Sequence, residues 1–221
     1  MTTSCSRPRH LERSGPLFAG LFVLALMALP CAPASAQVLS IDDVTVSEAA
    51  GTATFTVSLD APAPSLITVD YETLGGTATG GADFTTIAPS TLTFQPNDLT
   101  QTVIVTILDD LLFETTEGFS VKLTNPAGAT IADDTAVGTI RNDEPLPGLS
   151  IDDVTVSEGL GDTLAILTVQ LSTASSQTVT VRYATANGSA TSGGDYQSLS
   201  GTLTFAPNVT SQPLTIHVVG D

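Results

Sequence analysis

The chain has 221 residues and a formal net charge of −17, with 6 lysines and arginines against 23 acidic residues. So few cations cannot neutralise phosphates, which excludes nucleic acid and anionic lipid as natural partners. Both cysteines, Cys5 and Cys31, fall within residues 1–36. The rest of the chain therefore has no disulfide bond and no thiol chemistry, and its fold must be held by a core or by metal.

Residues 1–36 have the three parts of a secretory signal peptide. Arginines come first, Leu17 to Leu29 form an apolar run, and Ala34-Ser35-Ala36 supplies a cleavage motif before Gln37. A membrane span needs about 20 apolar residues, so a retained signal anchor is the weaker alternative. We therefore expect a secreted, extracellular or cell-surface protein, with the periplasm as another option, and no membrane span in the mature chain.

Residues 37–144 have the pattern of an all-β domain. Short segments rich in Val, Ile, Thr and Phe alternate with turns of Gly, Pro, Asn and Asp, and no stretch has helical periodicity. In one segment Phe55, Val57 and Leu59 fall on a single face, as in a half-buried strand. Strands are predicted, in chain order, near 38–46, 52–60, 66–74, 90–95, 101–108, 117–124 and 130–141. Seven antiparallel strands in about 105 residues predict an immunoglobulin-like β-sandwich.

A ten-residue repeat shows that this domain occurs twice. Leu39 to Glu48 recurs unchanged at Leu149 to Glu158, and a spacing of about 110 residues is the size of one small domain. Residues 145–148, which lie between the copies, predict a short linker stiffened by proline.

The second copy, residues 149–221, is expected to be incomplete. It follows the first copy closely and stops at Asp221, which aligns with Asp110. We therefore predict tandem sandwiches, the second truncated before its last two strands, with apolar surface left uncovered. A truncated reading frame or a fragment of a longer repeat protein is one explanation, and completion by another chain is a second.

Acidic residues gather at one predicted end of the first sandwich. In an antiparallel succession, chain reversals alternate between the two ends, so the first, third and fifth connections share an end with the close of the last strand. Eight carboxylates fall there: Glu48, Asp83, Asp109, Asp110, Glu114, Glu117, Asp143 and Glu144. Neighbouring carboxylates repel, and Ca²⁺, with its six to eight oxygen ligands, relieves that repulsion. The set contains no His or Cys, which favours a hard cation.

Two other acidic pairs have structural interpretations. Asp42-Asp43 lies inside the first predicted strand and is interpreted as a charged edge that discourages strand addition, with a secondary metal role as the alternative. Asp133-Asp134 lies at the opposite end of the predicted sandwich and is interpreted as turn chemistry of the hairpin formed by the last two strands.

Five groups of residues carry a family resemblance. They are Val46-Ser47-Glu48, Gly75-Gly76-Thr77-Ala78 with Gly81-Ala82-Asp83-Phe84, Leu92-Thr93-Phe94, Ile107-Leu108-Asp109-Asp110 with Phe113-Glu114 and Glu117, and Gly138-Thr139-Ile140 before Asn142-Asp143-Glu144. In this combination the chain resembles the Calx-beta domain, the calcium-binding repeat of sodium–calcium exchangers that also occurs in extracellular adhesion proteins and bacterial surface proteins.

The resemblance implies that the first sandwich binds several Ca²⁺ ions. The implied side-chain ligands are Glu48, Asp83, Asp109, Asp110, Glu114, Glu117 and Asp143, with Glu144 joining through the last acidic triplet and Leu112 through its backbone carbonyl. That triplet is often all Asp in the family, whereas this chain begins it with Asn142. The second copy keeps a partial site of Glu158, Asp195 and Asp221, for which weak calcium binding or none is expected.

The sequence argues against an enzyme. After residue 36 it has one histidine, His217, no cysteine and no tryptophan, and no nucleophile motif. The favoured function is a secreted or surface calcium-binding module that rigidifies an extracellular spacer or adhesion arm. The alternative is a purely structural acidic spacer, or a protein-interaction module, without specific metal. A calcium-responsive sensor is disfavoured by the signal peptide. Other extracellular proteins or further repeats are the expected partners besides calcium.

Overall fold

A computed structural model describes residues 36–220, and the predicted all-β fold class is confirmed over that range. The first module has nine strands: β1 (Gln37–Ile41), β2 (Val44–Ser47), β3 (Thr52–Leu59), β4 (Ile67–Leu74), β5 (Ser90–Phe94), β6 (Thr100–Thr106), β7 (Glu117–Ala127), β8 (Ala129–Ile131) and β9 (Thr135–Arg141). The second module has five: β10 (Leu149–Ile151), β11 (Thr163–Leu171), β12 (Val179–Ala184), β13 (Ser200–Phe205) and β14 (Ser211–Val218). The predicted signal peptide lies almost entirely outside the described residues.

Two sheets form the first module, in the orders β6-β3-β1-β8 and β2-β9-β7-β4-β5. The first predicted strand is therefore wrong as a single element, because β1 and β2 belong to different sheets. The chain crosses between the sheets at Asp42-Asp43, where the Asp43 carboxylate accepts a hydrogen bond from the Val137 backbone N–H at 2.7 Å. The last predicted strand is divided in the same way, with β8 parallel to β1 and β9 parallel to β2.

An aromatic cluster in the core fixes the strands that carry the acidic end. Phe84 stacks on Phe119 with ring centroids 4.4 Å apart, and Phe55 meets Phe119 edge-on at 5.8 Å. All three rings are at most 2% exposed. Gly138 is required beside them, because a Cβ there would lie 2.5 Å from the Phe119 ring. The core thus holds Phe84, directly after Asp83, against β7, whose first residue is Glu117.

The second module repeats part of this architecture. Its strands form a sheet of order β10-β11-β14 and a pair β12-β13, and Val179 faces Phe205 as Ile67 faces Phe94 in the first module. Its buried core is smaller, consisting of Val169, Leu171, Phe205 and Leu214 with partly buried neighbours. Within residues 36–220, no helix is long and apolar enough to cross a membrane.

Candidate metal centre

Four separate segments deliver the acidic side chains to one end of the first module. Glu48 opens a 3₁₀ turn between β2 and β3, and Asp83 lies in the connection between β4 and β5. The loop between β6 and β7, residues 107–116, carries the central acids, and the last two follow β9 directly. The strand order therefore brings distant parts of the chain together. A hydrogen bond joins the Ala49 N–H to the carboxylate of Asp143, although these residues are 94 positions apart.

The first cluster consists of Glu48, Asp143 and Glu144. Carboxylate oxygens of all three lie within 4.8 Å of one another. Glu48 is only 3% exposed, and an Asp143 oxygen accepts the hydrogen bond from the Ala49 N–H at 3.3 Å. Glu144 Oε2 is buried without any hydrogen-bond partner, and no other buried side-chain oxygen or nitrogen in the described part of the chain is left in that state. A buried unpartnered carboxylate oxygen is costly unless a ligand satisfies it.

The second cluster consists of Asp83, Glu114 and Glu117, whose oxygens also approach one another within 4.8 Å. Asp83 is 9% exposed and accepts a hydrogen bond from the Thr79 N–H at 2.5 Å. The turn that presents it needs a left-handed residue, which Gly81 supplies with φ of 91°. The backbone thus fixes Asp83, against which the two glutamates are placed.

Asp109, Asp110 and Leu112 lie in the β6–β7 loop beside these clusters. Both aspartates are close enough to Glu48 to raise the pKa of its carboxyl group. Asp110 Oδ1 accepts a hydrogen bond from the Leu112 N–H at 2.6 Å, which curls the loop around the aspartate. Every carboxylate that the sequence placed at this end therefore lies in a cluster or within electrostatic reach of one.

Asn142 has a structural role, although it carries no charge. Its Oδ1 accepts a hydrogen bond from the Glu114 N–H at 2.6 Å, and its Nδ2 donates to the Glu144 carbonyl at 2.8 Å. One amide therefore positions a glutamate from each cluster. A carboxylate at this position could accept the first bond but could not donate the second.

Burial and mutual repulsion disfavour the charged forms of three glutamates. Burial is the main cause that raises the pKa of Glu48 to about 7, and Glu144 and Glu114 add repulsion. The pKa of Glu117 is also raised to about 7, again chiefly by burial and then by Asp83. Burial followed by the charge of Asp83 raises the pKa of Glu114. Positive charge placed beside these carboxyl groups would favour their ionised forms.

No side-chain cation supplies that charge in the part of the chain that the structure describes. The salt bridge found there, Lys122 to Asp134, lies at the end of the β7–β9 ladder opposite to Glu117 and the clusters. The carboxylates at the opposite end behave differently, because each has ordinary donors. Asp60 accepts from the Val38 N–H at 2.9 Å, and Asp98 accepts from the Gln95 N–H at 2.7 Å. The acidic clusters, made only of oxygen donors, thus fit a hard divalent cation.

The second module holds only part of an equivalent arrangement. Glu158 and Asp195 line one cavity of about 420 Å³, but Glu158 is exposed. Asp195 accepts hydrogen bonds from the N–H and hydroxyl of Thr191, which lower the pKa of its carboxyl group. Asp221 lies outside the described residues. The turn that presents Asp195 therefore repeats the Asp83 turn, without a cluster of three carboxylates around it among residues 36–220.

The β6–β7 loop also contacts the second module, a feature that sequence reasoning missed. The Phe113 N–H donates to the Ala174 carbonyl and the Ser176 N–H donates to the Phe113 carbonyl, both at 3.0 Å. The Thr173 hydroxyl donates to the Leu111 carbonyl at 3.0 Å. Acidic residues 110 and 114 therefore lie on either side of Leu111 and Phe113, whose backbone groups bind the connection between β11 and β12.

Comparison with known proteins places both modules in one family. The family model described as "Calx-beta domain" matches residues 34–144 and again residues 140–221. Human "Sodium/calcium exchanger 2" is 32% identical over 173 residues, covering 69% of this chain and 18% of the exchanger. Human "Extracellular matrix organizing protein FRAS1" is 37% identical over 131 residues, covering 54% of this chain and 3% of that protein. The chain thus spans less than a fifth of the length of these curated relatives.

Two solved structures are among those similar to the chain. The crystal structure of CBD12 from CALX1.2 is 27% identical, covers 82% of this chain and 75% of its own, and has a TM-score of 0.47. The apo-form Calx CBD1 domain is 28% identical, covers 49% of this chain and 99% of its own, and has a TM-score of 0.46.

Proposed function

The chain belongs to the Calx-beta domain family, and from that premise we propose that it is a calcium-binding module of a secreted or surface protein. Its bound ions stiffen an extracellular spacer or adhesion arm. The observation that carries the proposal is the pair of carboxylate clusters, which include the buried, unpartnered Glu144 Oε2 and have no side-chain cation beside them within residues 36–220.

The residues that would hold calcium follow from the clusters. Glu48, Asp143 and Glu144 form one set of ligands, and Asp83, Glu114 and Glu117 form the other. Asp109, Asp110 and the Leu112 carbonyl are proposed as further ligands from the loop between them. Calcium would supply the positive charge that these oxygens lack, at an energetic gain that a neutral or monovalent neighbour could not match.

The stiffening follows from the position of the β6–β7 loop. The same five residues, 110–114, carry two acids of the site and three backbone groups bonded to the second module. Ordering the loop around a cation would therefore also order its hydrogen bonds to residues 173–176. We propose that calcium binding narrows the range of angles between the two modules.

An extracellular location is part of the proposal. It is supported by the signal-peptide pattern of residues 1–36 and by the similarity to a relative named as an extracellular matrix organizing protein. A binding role is proposed rather than a catalytic one. The competing function, an acidic spacer without specific metal, predicts that the clustered carboxylates bind no ion tightly.

Calorimetry separates these two functions. Residues 36–221 should melt at a higher temperature in millimolar Ca²⁺ than in EDTA, by the several degrees that a few kcal/mol of binding energy produce. Glu114→Gln should remove most of this gain. Glu72→Gln, which deletes the same charge on β4 outside the clusters, should keep it. A melting temperature that calcium does not change would support the function of a spacer without specific metal.

A second measurement tests the stiffening separately. Spin labels placed one on each module should give a broad distance distribution in EDTA and a narrower one in calcium. The Glu114→Gln chain should stay broad in both. Calcium binding without narrowing would retain the metal site but remove the spacer function.

A further inference from the structure

β6 and β14 are equivalent strands, and each lies at the edge of its sheet. β6 pairs with β3 and β14 pairs with β11, both antiparallel, and neither has a second strand beside it among residues 36–220. The connection between β4 and β5 reaches the end of the β6 edge, where the Thr85 N–H donates to the Thr106 carbonyl at 2.9 Å. Before that point the β6 edge is open to another strand.

Alternate residues of β6 present their backbone groups to the open edge. The Leu59 N–H donates to the Leu99 carbonyl at 2.9 Å, and the Ile107 N–H donates to the Gly51 carbonyl at 3.0 Å. Odd-numbered residues of this stretch therefore bond to β3, and even-numbered residues turn their N–H and C=O groups outward. The outward groups without a backbone partner within residues 36–220 include those of Thr100, Thr102 and Ile104.

In the second module a proline stands on the equivalent edge. Pro213 of β14 faces Thr168 as Thr102 of β6 faces Thr56, and both facing threonines lie three residues before the leucine that ends their strand. Proline has no N–H to donate, and on an edge strand it discourages pairing with another chain. β14 keeps its ladder with β11 on both sides of Pro213, as a proline on the outward phase allows. β6 lacks this protection.

The β6 edge is also uncharged, although the chain has a net charge of −17. Residues 99–108 contain no charged side chain, and neither does β3 beside them. Charged side chains, proline and bulges commonly protect edge strands, and β6 contains none of them. The exposed side chains on the outer face of these two strands are Thr52, Thr54, Thr100, Thr102, Ile104 and Thr106.

This distribution of charge favours a second copy of the chain as the occupant of the edge. Two copies with the same large negative charge repel each other, and they approach with least repulsion where both surfaces are uncharged. The β6 edge and the outer face of β3 form such a surface. Pairing around a two-fold axis also needs an edge that is complementary to itself, which a row of threonines provides.

We propose that the chain forms a two-fold dimer in which the β6 strands of two copies pair in antiparallel orientation. Because the Thr106 carbonyl is already bonded, the ladder is centred on Thr102, which faces Thr102 of the other copy. Ile104 then faces Thr100, and each outward residue exchanges its N–H and C=O bonds with the residue opposite. The ladder is short, so the dimer is a weak one of the kind that interfaces below about 1,200 Å² form.

A cysteine at the two-fold axis tests this geometry in residues 36–221, which contain no cysteine of their own. In Thr102→Cys the Cα atoms of the two substituted residues would lie about 5.5 Å apart, a separation that a disulfide bond spans. Thr54→Cys is the matched control, an exposed threonine on the same face but on β3. Its two copies would lie at least three strand spacings apart, roughly 14 Å. Mild oxidation should therefore link Thr102→Cys chains at least about tenfold faster than Thr54→Cys chains.

Sedimentation velocity at concentrations up to about 1 mM measures the association itself. The parent chain should move from monomer towards dimer as its concentration rises. Thr102→Glu places like charges opposite each other and should weaken the dimer about tenfold or more, whereas Thr54→Glu adds the same charge away from the axis and should behave almost as the parent. Thr102→Pro copies the residue that β14 already has, so it should abolish the dimer with little change in melting temperature.

Four outcomes would overturn the proposal. One is a parent chain that stays monomeric at the highest concentration. Another is an association that Thr102→Glu and Thr54→Glu weaken equally, because a different surface would then be responsible. Equal rates of disulfide formation in the two cysteine variants would remove the two-fold geometry. Finally, a synthetic peptide of residues 99–108 that binds to a chain which itself stays monomeric would show that β6 accepts an extended strand of another protein instead of a second copy.

Discussion

Glu48→Gln and Glu158→Gln place one substitution in two copies of the same ten residues. In the first copy the side chain is 3% exposed inside a carboxylate cluster, whereas in the second it is exposed and belongs to no cluster found in the described residues. The nine residues that precede the substituted glutamate are the same in both copies. Any difference in stability or calcium response reports on the cluster around Glu48.

The structure sets the size of the effect. A carboxyl group whose pKa rises from 4.5 to about 7 is destabilised as an anion by at most about 3.4 kcal/mol. Solvent screening at the open side of the site lowers this to about 1–2 kcal/mol. Glu48→Gln should then raise the melting temperature in EDTA at pH 8 by about 4–10 °C. Loss of a charged ligand should weaken calcium binding about tenfold or more, which removes about 1.4 kcal/mol of the calcium-induced gain.

Differential scanning calorimetry in EDTA and in calcium measures both effects on one sample. Glu48→Gln should be more stable than the parent without calcium and less stabilised by it, while Glu158→Gln should match the parent in both conditions. Equal behaviour of the two variants would show that the cluster around Glu48 has no energetic consequence and would refute the reasoning.

Three further predictions concern the same module. The pKa values of Glu48 and Glu117 are about 7 in the folded state and 4.5 in the unfolded state, so the calcium-free fold binds more protons than the unfolded chain. Urea denaturation in EDTA should therefore show that the free energy of unfolding falls from pH 5 to pH 8. Calcium should reverse this trend. Asn142→Asp loses the hydrogen bond donated to the Glu144 carbonyl and adds a negative charge. It should lower the free energy of unfolding in EDTA by about 1–2 kcal/mol and increase the calcium-induced gain in melting temperature. Gly138→Ala should cost about 1–3 kcal/mol in urea denaturation because its Cβ meets two phenylalanine rings, whereas Gly188→Ala, with no atom within 4 Å of the added Cβ, should be nearly neutral.

Strand positions and the acidic end could be predicted because both depend on simple periodic rules. Alternation of apolar residues marks a strand, and antiparallel succession decides which connections share an end. The first predicted strand is in fact broken between β1 and β2, and the sequence contains a signal for this break. Inward residues are odd-numbered at Leu39 and Ile41 and even-numbered at Val44 and Val46, a change of phase that marks the crossing between sheets.

Other features depend on partners that no local pattern contains. The sequence shows only that Asn142 lacks a charge, whereas its role in the fold comes from an acceptor that meets the distant Glu114 and a donor that meets the nearby Glu144. The bonds from Leu111 and Phe113 to the second module depend on how the modules follow one another. Val154–Ser157 has the sequence of a strand and is not one, because a strand is a property of a pair.

The parallel ladders of the first module determine how it responds to force. The chain enters through β1 and β2 and leaves through β8 and β9, and each entering strand lies beside a leaving strand that runs in the same direction. Tension applied to the two ends therefore slides these ladders past one another and loads their hydrogen bonds together, rather than opening them one at a time from an end. Asp143 and Glu144 follow β9 directly, and Glu48 follows β2. The first carboxylate cluster therefore lies at the end of the parallel β2–β9 pair and links its two strands. In the proposed spacer function, these ladders would let the first module resist pulling, and ions bound at its acidic end would adjust that resistance.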